Sequence, residues 1–233
     1  MHIFFTPGIN TDTYILNEDE SGHCIRVLRL QKGAVVQLVD GEGGLYEAII
    51  EGPHPKRTVL KILDVQREFA RRNHYLHIAL APTKNVERTE WFLEKATEIG
   101  IDEISLLICE HSERKEIKTS RLNKVITSAM KQSVKAYRPR LNEALKFRDF
   151  IKKASASHKY IAHCMESEKA ALKDGFQLNS DYLVLIGPEG DFSSFEVENA
   201  LQAGYAAISL GNSRLRTETA ALEACFEINF LNR

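Results

Sequence analysis

The sequence predicts an α/β protein with a β-rich N-terminal domain and a C-terminal domain built on a mostly parallel sheet. Residues 1–72 carry short apolar strands separated by turn residues, whereas residues 73–233 alternate strands with helices, the order typical of a parallel sheet. Near the C-terminal end, two apolar strands each stop at a glycine and run into a helix. We therefore expect two domains, with the boundary after residue 72.

The N-terminal domain is expected to form a small β-barrel. A glycine-rich turn at residues 41–44 lies between two apolar runs and predicts a hairpin. The one helical candidate is Asp19–Leu30, in which His23, Val27 and Leu30 fall on one side. Four strands are predicted: His2–Phe5, Ala34–Asp40, Leu45–Glu51 and Arg57–Val65.

The C-terminal domain is expected to place helices on both faces of its sheet. Ser193 and Glu196 have the spacing of a capping box, which predicts a helix start at about Ser194, and Gly100 and Gly204 are placed to end helices. The predicted strands are Tyr75–Ala81, Ile104–Cys109, Tyr160–Cys164, Tyr182–Ile186 and Tyr205–Leu210. The predicted helices are Val86–Ile99, Ser120–Ala136, Ser194–Gly204 and a final helix with Thr217 as its N-cap.

Two glycine loops near the C-terminal end are the candidate ligand site. Gly187 and Gly190 permit backbone angles closed to other residues, and Pro188 stiffens the turn between them. Gly211 ends the next predicted strand. We expect both loops to leave neighbouring strands at one edge of the sheet, where open α/β sheets bind ligands.

Charge, cysteine spacing and hydropathy restrict the function further. The formal net charge is -1, so binding to nucleic acid requires a local basic surface. The four cysteines are widely spaced and form no Cys-x-x-Cys motif, so neither a metal site nor a disulfide is expected. Because the chain has neither a signal-peptide pattern nor an apolar run of the ~20 residues that span a bilayer, we expect a soluble cytoplasmic protein without membrane contact.

Positive charge gathers between residues 111 and 140, which hold nine lysines and arginines against two glutamates. On the predicted helix, Lys124, Lys131 and Lys135 recur at helical spacing. A stripe of this kind is either a solvated helix face or a surface that contacts RNA phosphates.

Several motifs, in this order along nearly the whole chain, resemble one known family. The two loops supply Gly187-Pro-Glu-Gly190 and Leu210-Gly-x-x-x-Leu-Arg-Thr-Glu-Thr-Ala220. The earlier motifs are His23-x-x-x-Val27-Leu-Arg29 with Gly33, Glu90-Trp91, Lys95-Ala-Thr-Glu98-Ile-Gly100, Ser112-Glu-Arg114, and Gln132-Ser133 before Pro139. Together they resemble the knotted SPOUT methyltransferases, and more closely the RsmE-type enzymes, which methylate N3 of a uridine in bacterial small-subunit ribosomal RNA.

The resemblance implies a fold, a cofactor and partners. It implies a trefoil knot in the C-terminal domain, a PUA-like, RNA-binding β-barrel in the N-terminal domain, and a homodimer. It implies S-adenosylmethionine as cofactor and 16S ribosomal RNA, or the small ribosomal subunit, as substrate. The cofactor contacts that it implies are Ile186, Gly187, Gly190, Leu210, Gly211, Leu215, Arg216 and Thr217.

Three residues are candidates for the chemistry. Uracil N3 carries a proton with a pKa roughly comparable to that of tyrosine, so the site needs a base or a cation that stabilises the uridine anion. Arg216 is the candidate for positioning the anion or the cofactor, and Glu189 or Glu218 for the base or an orienting role. Two simpler interpretations stay open: a carboxylate at Glu218 is favoured by the helix dipole, and Arg216 could pair with it.

The candidate RNA contacts come from both domains. His23 is as consistent with a histidine packed in the barrel as with an RNA contact. Three positions depart from the family pattern: Asp191 replaces a glycine, lysines flank Gln132-Ser133, and Asn212-Ser213 precede Arg214. The candidates are His23, Arg26, Arg29, Arg114, Lys124, Lys131, Lys135 and Arg138.

Two other functions stay open. A ribose 2′-O-methyltransferase would share the fold and the cofactor but not the target atom. A non-catalytic RNA- or ribosome-binding module would keep the fold without holding the cofactor. Cofactor titration distinguishes the second alternative, and nucleoside analysis of methylated RNA distinguishes the first.

Overall fold

The computed structural model describes residues 2–174 and 176–233 and divides the chain into two compact units. The first unit comprises Met1–Arg71 together with Thr127–Arg138. The second comprises Arg72–Ile126 and Pro139–Arg233. The return of Thr127–Arg138 to the first unit is a feature that no pattern in the sequence indicated.

The first unit is built on a five-stranded sheet in the order β1-β3-β4-β5-β2. Its strands are β1 (Ile3–Phe5), β2 (Thr13–Ile15), β3 (Val35–Val39), β4 (Leu45–Gly52) and β5 (Val59–Gln66). The predicted hairpin is confirmed, because β3 and β4 are antiparallel with Val39 opposite Leu45. Alternate residues of these strands, including Phe4, Leu38 and Ile50, are fully buried and form the core of the unit.

The predicted helix of the first unit is shorter than expected and irregular. Helix α1 (Glu18–Gly22) is capped by Asn17, whose Oδ1 accepts a hydrogen bond from the Glu20 N–H at 2.8 Å. A π-helical turn, His23–Val27, continues the chain. Arg29 then has a φ of +55°, in the left-handed region, which ends the helical segment before the predicted Leu30.

The second unit contains an eight-stranded sheet in which every recorded strand pair is parallel. The strand order is β11-β13-β10-β12-β6-β7-β8, with β9 also paired to β7. This confirms the predicted mostly parallel sheet. The strands are β6 (Tyr75–Leu80), β7 (Glu103–Ile108), β8 (Arg140–Leu141), β9 (Leu145–Lys146), β10 (His158–Ala162), β11 (Ala170–Ala171), β12 (Asp181–Ile186) and β13 (Ala206–Ser209).

Helices cover both faces of this sheet, as predicted. One buried cluster joins β6 and β12 to α2, α3 and α6, and a second joins the opposite strand faces to α4 and α5. Alternation along β12 explains the arrangement, because Val184 belongs to the first cluster and Leu185 to the second. The helices are α2 (Val86–Ile99), α3 (Thr119–Gln132), α4 (Phe147–Lys153), α5 (Ser194–Gln202) and α6 (Thr217–Leu231).

Helix α3 ends four residues earlier than predicted. Val134 has a φ of +55°, and the Lys135 N–H donates to the Met130 carbonyl at 3.0 Å, the arrangement of a helix C-terminus usually made with glycine. Lys135 therefore lies beyond the helix on which the sequence placed it.

No helix in residues 2–174 and 176–233 combines the length and apolarity needed to cross a membrane. The same described ranges hold no cluster of three or more histidine, cysteine, aspartate or glutamate side chains that could hold a metal ion.

Candidate cofactor and RNA site

The two glycine loops leave the sheet at the same level but not from neighbouring strands. Ala162 of β10 is opposite Ile186 of β12 on one side and Ile208 of β13 on the other. The expectation of adjacent strands is therefore wrong, because β10 runs between them. All three strands are parallel, so the loops that begin at Gly187 and Leu210 both lie at the carboxyl edge of the sheet, as the sequence predicted.

A buried hydrogen bond joins the two loops. The Thr217 hydroxyl donates to the Gly187 carbonyl at 3.0 Å. The prediction that Thr217 is the N-cap of the last helix is wrong: Arg216 occupies that position and makes no side-chain capping bond, and Thr217 is the first helical residue. The Thr217 hydroxyl binds the Gly187 carbonyl of the other loop, so it is not used to cap the helix that Thr217 begins.

Glycine is needed in the first loop because of close packing. A Cβ added to Gly187 would lie 3.1 Å from the Phe192 backbone N, and one added to Gly190 would lie 3.1 Å from the His111 Cβ. Neither glycine has a positive φ, so the expected reason, special backbone angles, is wrong at these two positions. The predicted capping box after this loop is confirmed, with Ser193 and Glu196 each accepting from the other's backbone.

The structure explains why aspartate is tolerated at position 191, where the family pattern has glycine. Its φ is +62°, a left-handed conformation that glycine adopts freely and aspartate tolerates. Its Oδ2 accepts from the Cys164 N–H at 2.8 Å and its Oδ1 from the Phe192 N–H at 2.9 Å. The carboxylate therefore connects this loop to the loop that follows β10.

The candidate cofactor residues differ in exposure. Leu210 and Leu215 are half-buried, which leaves aliphatic surface beside the loop backbone. Ile186, Gly187 and Thr217 are buried, and the remaining candidates Gly190, Gly211 and Arg216 are exposed. The second loop turns at Gly211, whose φ of +102° requires glycine.

Glu218 is a buried carboxylate with an unused oxygen. It is 6% exposed, and among the described residues its Oε2 has no hydrogen-bond partner. Its Oε1 lies 3.7 Å from Nε of Arg88, a half-buried α2 residue that no sequence motif singled out. In the described part of the chain no ion pair joins Arg216 to Glu218, so the pairing that the sequence allowed is not observed.

Glu189 and Arg114 both hold the loop that follows β6. The Glu189 carboxylate accepts from the Lys84 N–H at 2.9 Å. The Arg114 guanidinium donates to the carbonyls of Thr83 and Lys84 at 3.1 and 2.6 Å. Both side chains thus fix backbone beside the Gly187 loop, because β6 and β12 are adjacent and parallel.

The candidate RNA-binding residues also differ in availability. His23, Arg26, Arg29 and Lys124 are exposed. Lys131 is half-buried, and its Nζ lies 2.6 Å from Oε1 of Glu20. The two remaining candidates, Lys135 and Arg138, are half-buried as well, and Nε of Arg138 donates to the Thr127 hydroxyl at 3.2 Å.

A cavity of about 490 Å³ lies at the carboxyl end of β7. Its lining includes exposed Lys115, Lys146 and Arg148, together with Phe195, which is 65% exposed. The cavity also adjoins Glu196, whose two oxygens accept backbone N–H groups of Glu110 and Ser193. Cations beside an exposed aromatic ring suit a nucleotide, because they serve its phosphate and its base respectively.

Comparison with known proteins identifies the family. The sequence model of an RNA methyltransferase domain matches residues 71–229, and that of an RNA methyltransferase PUA domain matches residues 16–63. The second match agrees with the predicted PUA-like fold of the N-terminal part.

Individual relatives cover almost the whole chain. A probable rRNA-methyltransferase from Porphyromonas gingivalis has a solved structure that matches with a TM-score of 0.92 and 42% identity, covering 100% of this chain and 98% of that one. A Legionella pneumophila structure described as a methyltransferase with bound SAM matches with a TM-score of 0.88 and 28% identity, covering 99% and 97%.

A ribosomal RNA small subunit methyltransferase E from Rickettsia conorii is 28% identical over 93% of this chain and 89% of its own length. Because the methyltransferase model spans well over half of the sequence, the chain belongs to the RNA methyltransferase family.

Proposed function

We propose that this protein transfers the methyl group of S-adenosylmethionine to N3 of a uridine in 16S ribosomal RNA. The observation that carries the proposal is the pair of loops joined by the Thr217–Gly187 hydrogen bond at the carboxyl edge of the sheet. The domain roles follow: residues 1–72 form the PUA-like RNA-binding domain and residues 73–233 the methyltransferase domain. An rRNA substrate also implies action in the cytoplasm.

The residues of the two loops fit the proposed cofactor. Exposed backbone at Gly190 and Gly211 offers N–H and C=O groups, and half-buried Leu210 and Leu215 offer aliphatic surface to an adenine ring. Ile186, Gly187 and Thr217 are buried, and the hydrogen bond from Thr217 to Gly187 connects the two loops there. When bound, S-adenosylmethionine supplies an activated methyl group, so the chain has to orient donor and acceptor and handle one proton.

Glu218 is our candidate for the group that takes the uridine N3 proton. Its unpaired, buried Oε2 has the free acceptor capacity that a base needs, and Nε of Arg88 lies 3.7 Å from the other carboxylate oxygen. Exposed Arg216 is our candidate for the cation that stabilises the uridine anion. Glu189 is engaged with the Lys84 N–H, which favours the orienting role among the two considered.

RNA contact is proposed for exposed residues in each unit. In the first unit, His23, Arg26 and Arg29 are free to meet phosphates, whereas Lys131 is neutralised by Glu20. In the second, the cavity beside Lys115 and Lys146 adds to exposed Lys124. Arg114, Lys135 and Arg138 stay in the proposed set as half-buried members. Of these, Arg114 also holds the backbone carbonyls of Thr83 and Lys84.

We also propose a homodimer. On α6, the rings of Phe226 and Phe230 stack with their centroids 6.0 Å apart, and these residues are 43% and 57% exposed. Trp91 of α2 is 42% exposed. A second copy would remove these rings from water. Light scattering is then expected to give twice the 26.4 kDa of the chain, and a monomer at micromolar concentration would contradict the proposal.

The experiment for the function uses small ribosomal subunits from cells that lack the protein. Incubation with the purified protein and S-adenosylmethionine is expected to yield N3-methyluridine in digested 16S rRNA, read by mass spectrometry of nucleosides. A 2′-O-methylated nucleoside would contradict the target atom, and no methylation with undetectable cofactor binding would contradict the enzyme assignment.

A further inference from the structure

The cavity of about 490 Å³ at the carboxyl end of β7 is separate from the two glycine loops. Among the described residues, its lining includes none of the candidate cofactor contacts. The walls come from the end of β7, the start of α4 and the first turns of α5. This volume lies within the range of about 300–1,000 Å³ that is typical of pockets for small molecules. The cavity is therefore of a suitable size for one nucleotide.

An exposed aromatic ring lines this cavity. Phe195, near the start of α5, is 65% exposed, and in the described part of the chain it forms no ring pair with another aromatic residue. Buried Phe147 and Ile151 add apolar surface to the same lining. A ring of this kind gains free energy when a ligand removes it from water, and its free face is a platform on which a planar base stacks.

Three cations line the same cavity. Lys115, Lys146 and Arg148 are all exposed. No ion pair within residues 2–174 and 176–233 involves Lys115 or Lys146, and Nε of Arg148 lies 3.9 Å from Oδ1 of Asp149. The two lysines are therefore available to a phosphate, which accepts charge-assisted hydrogen bonds from such side chains.

The remaining polar groups of the lining leave this positive charge in excess. The cavity holds two carboxylates, exposed Glu110 and buried Glu196, and both oxygens of Glu196 accept backbone N–H groups at 2.9 Å. Asn199 donates from Nδ2 to the Phe195 carbonyl at 2.6 Å. Its Oδ1 then stays available to accept a hydrogen bond from an N–H group on the edge of a base.

The cavity adjoins the first glycine loop on the side away from the second loop's helix. Glu110 of the lining directly precedes His111, whose Nδ1 lies 3.1 Å from the carbonyl oxygens of Gly190 and Asp191. One residue therefore connects the wall of the cavity to the loop where we place the reaction. An RNA strand whose target base lies at the glycine loops can place a flanking nucleotide in the cavity.

We propose that this cavity binds one unpaired nucleotide that flanks the methylated uridine, with its base stacked on Phe195 and its phosphate held by Lys115 and Lys146. The proposal rests on the proposed function, since it takes the same RNA substrate. It adds the requirement that the RNA is single-stranded beside the target, because the bases of a duplex stack on one another and leave no face for Phe195.

The substitution Phe195→Ala separates stacking from attraction by charge. Fluorescence anisotropy compares a labelled single-stranded oligouridylate with the same strand paired to oligoadenylate. We expect Phe195→Ala to raise the Kd for the single strand about tenfold and to leave the Kd for the duplex unchanged. Phe195→Trp keeps an aromatic ring and should bind like the wild type. Leu201→Ala, at an exposed leucine of the same helix, is the matched control, and the Tm should be unchanged in every variant.

A photocrosslink locates the strand on the protein. With 4-thiouridine in the oligouridylate, irradiation should give crosslinked peptides from residues 146–151 and 195–199, identified by mass spectrometry. A wild-type protein that does not bind the single strand, a Phe195→Ala variant that affects both RNAs equally, or crosslinks confined to other segments would each overturn the proposal.

These binding assays contain no S-adenosylmethionine, so their outcome is independent of methyl transfer. If they fail while the protein still forms N3-methyluridine in 16S rRNA, this inference alone is wrong. If the cavity crosslinks to RNA but no methylation occurs, the proposed function is wrong and the cavity remains a site for single-stranded RNA.

Discussion

At the scale of single residues, the most informative group of the candidate site is a carboxylate that is buried and incompletely paired. Glu218 follows Thr217 at the carboxyl edge of the sheet, and its Oε2 has no partner among the described residues. The first turn of a helix explains a carboxylate at Glu218, but a helix dipole alone does not account for its burial. We infer that Glu218 is positioned for a ligand.

The role proposed for Glu218 predicts a loss of catalysis without a loss of binding. Glu218→Gln keeps the size of the side chain and removes its basicity, so kcat for uridine methylation should fall about 100-fold or more. Calorimetry should still detect binding of S-adenosylmethionine to the Glu218→Gln variant. Glu223→Gln, at an exposed glutamate of the same helix, is the matched control. A near-normal kcat in Glu218→Gln would remove Glu218 as the base.

The buried residue His77 predicts how the free energy of unfolding depends on pH. It lies in the second unit, with Nε2 2.8 Å from the Ser105 hydroxyl and Nδ1 3.8 Å from Glu103. Burial lowers the pKa of His77 to about 4, outweighing the opposite effect of Glu103. The unfolded chain takes up this proton near pH 6.5 and the folded chain only near pH 4.

Between these two values the unfolded state binds more protons, so the free energy of unfolding should fall as the pH is lowered, by about 3 kcal/mol in total from this group. Urea unfolding at pH 7.5, 5.5 and 4.5 measures the change. His77→Gln should flatten the profile and His2→Gln should not. Equal slopes in the two variants would contradict the assignment to His77.

At the scale of elements, we expect the candidate site to depend on the hydrogen bond between the two loops. Thr217→Val removes the hydroxyl and leaves the Gly187 carbonyl buried without its partner, which costs about 1–3 kcal/mol. We expect a lower Tm and a weaker calorimetric affinity for S-adenosylmethionine. Thr219→Val, exposed two residues further along α6, is the control. If both variants behave alike, the bond does not organise the site.

The sequence predicted the long elements of the second unit well, for physical reasons. Helix Val86–Ile99 was predicted to the residue, with Gly100 as its end, and the structure adds Asn85 as its N-cap. Strand β12 stood out as a continuous apolar run. The two-residue strands β8, β9 and β11 gave no pattern because they are too short to show a period.

The sequence predicted where the two glycine loops lie, but not the strand order or the hydrogen bonds around them. Local pattern could not reveal that β10 runs between β12 and β13, since strand order is decided by long-range packing. It also could not assign the Thr217 hydroxyl to a carbonyl thirty residues away. The positive φ of Val134 was missed as well, because a β-branched residue is not expected in the left-handed region. The trefoil knot stays a prediction.

At the scale of the whole molecule, a chain of net charge -1 has to bind RNA through local surfaces. The cavity lined by Lys115 and Lys146 predicts that the double variant Lys115→Ala, Lys146→Ala binds 16S rRNA fragments more weakly. Its slope of log K against log salt should fall by about 0.7–0.9 for each phosphate that the variant no longer neutralises. The matched control is the double variant Lys152→Ala, Lys153→Ala, which changes two exposed lysines of α4. Equal salt slopes in the two double variants would exclude the cavity as an RNA-binding surface.

The most direct test of the account is the nucleoside composition of 16S rRNA after small subunits from cells lacking the protein are incubated with it and S-adenosylmethionine. We expect N3-methyluridine to appear with the wild-type protein, to be lost with Arg216→Ala, and to persist with the exposed control Glu223→Gln. Digests without N3-methyluridine, from a protein that is folded and supplied with the cofactor, would contradict the central claim.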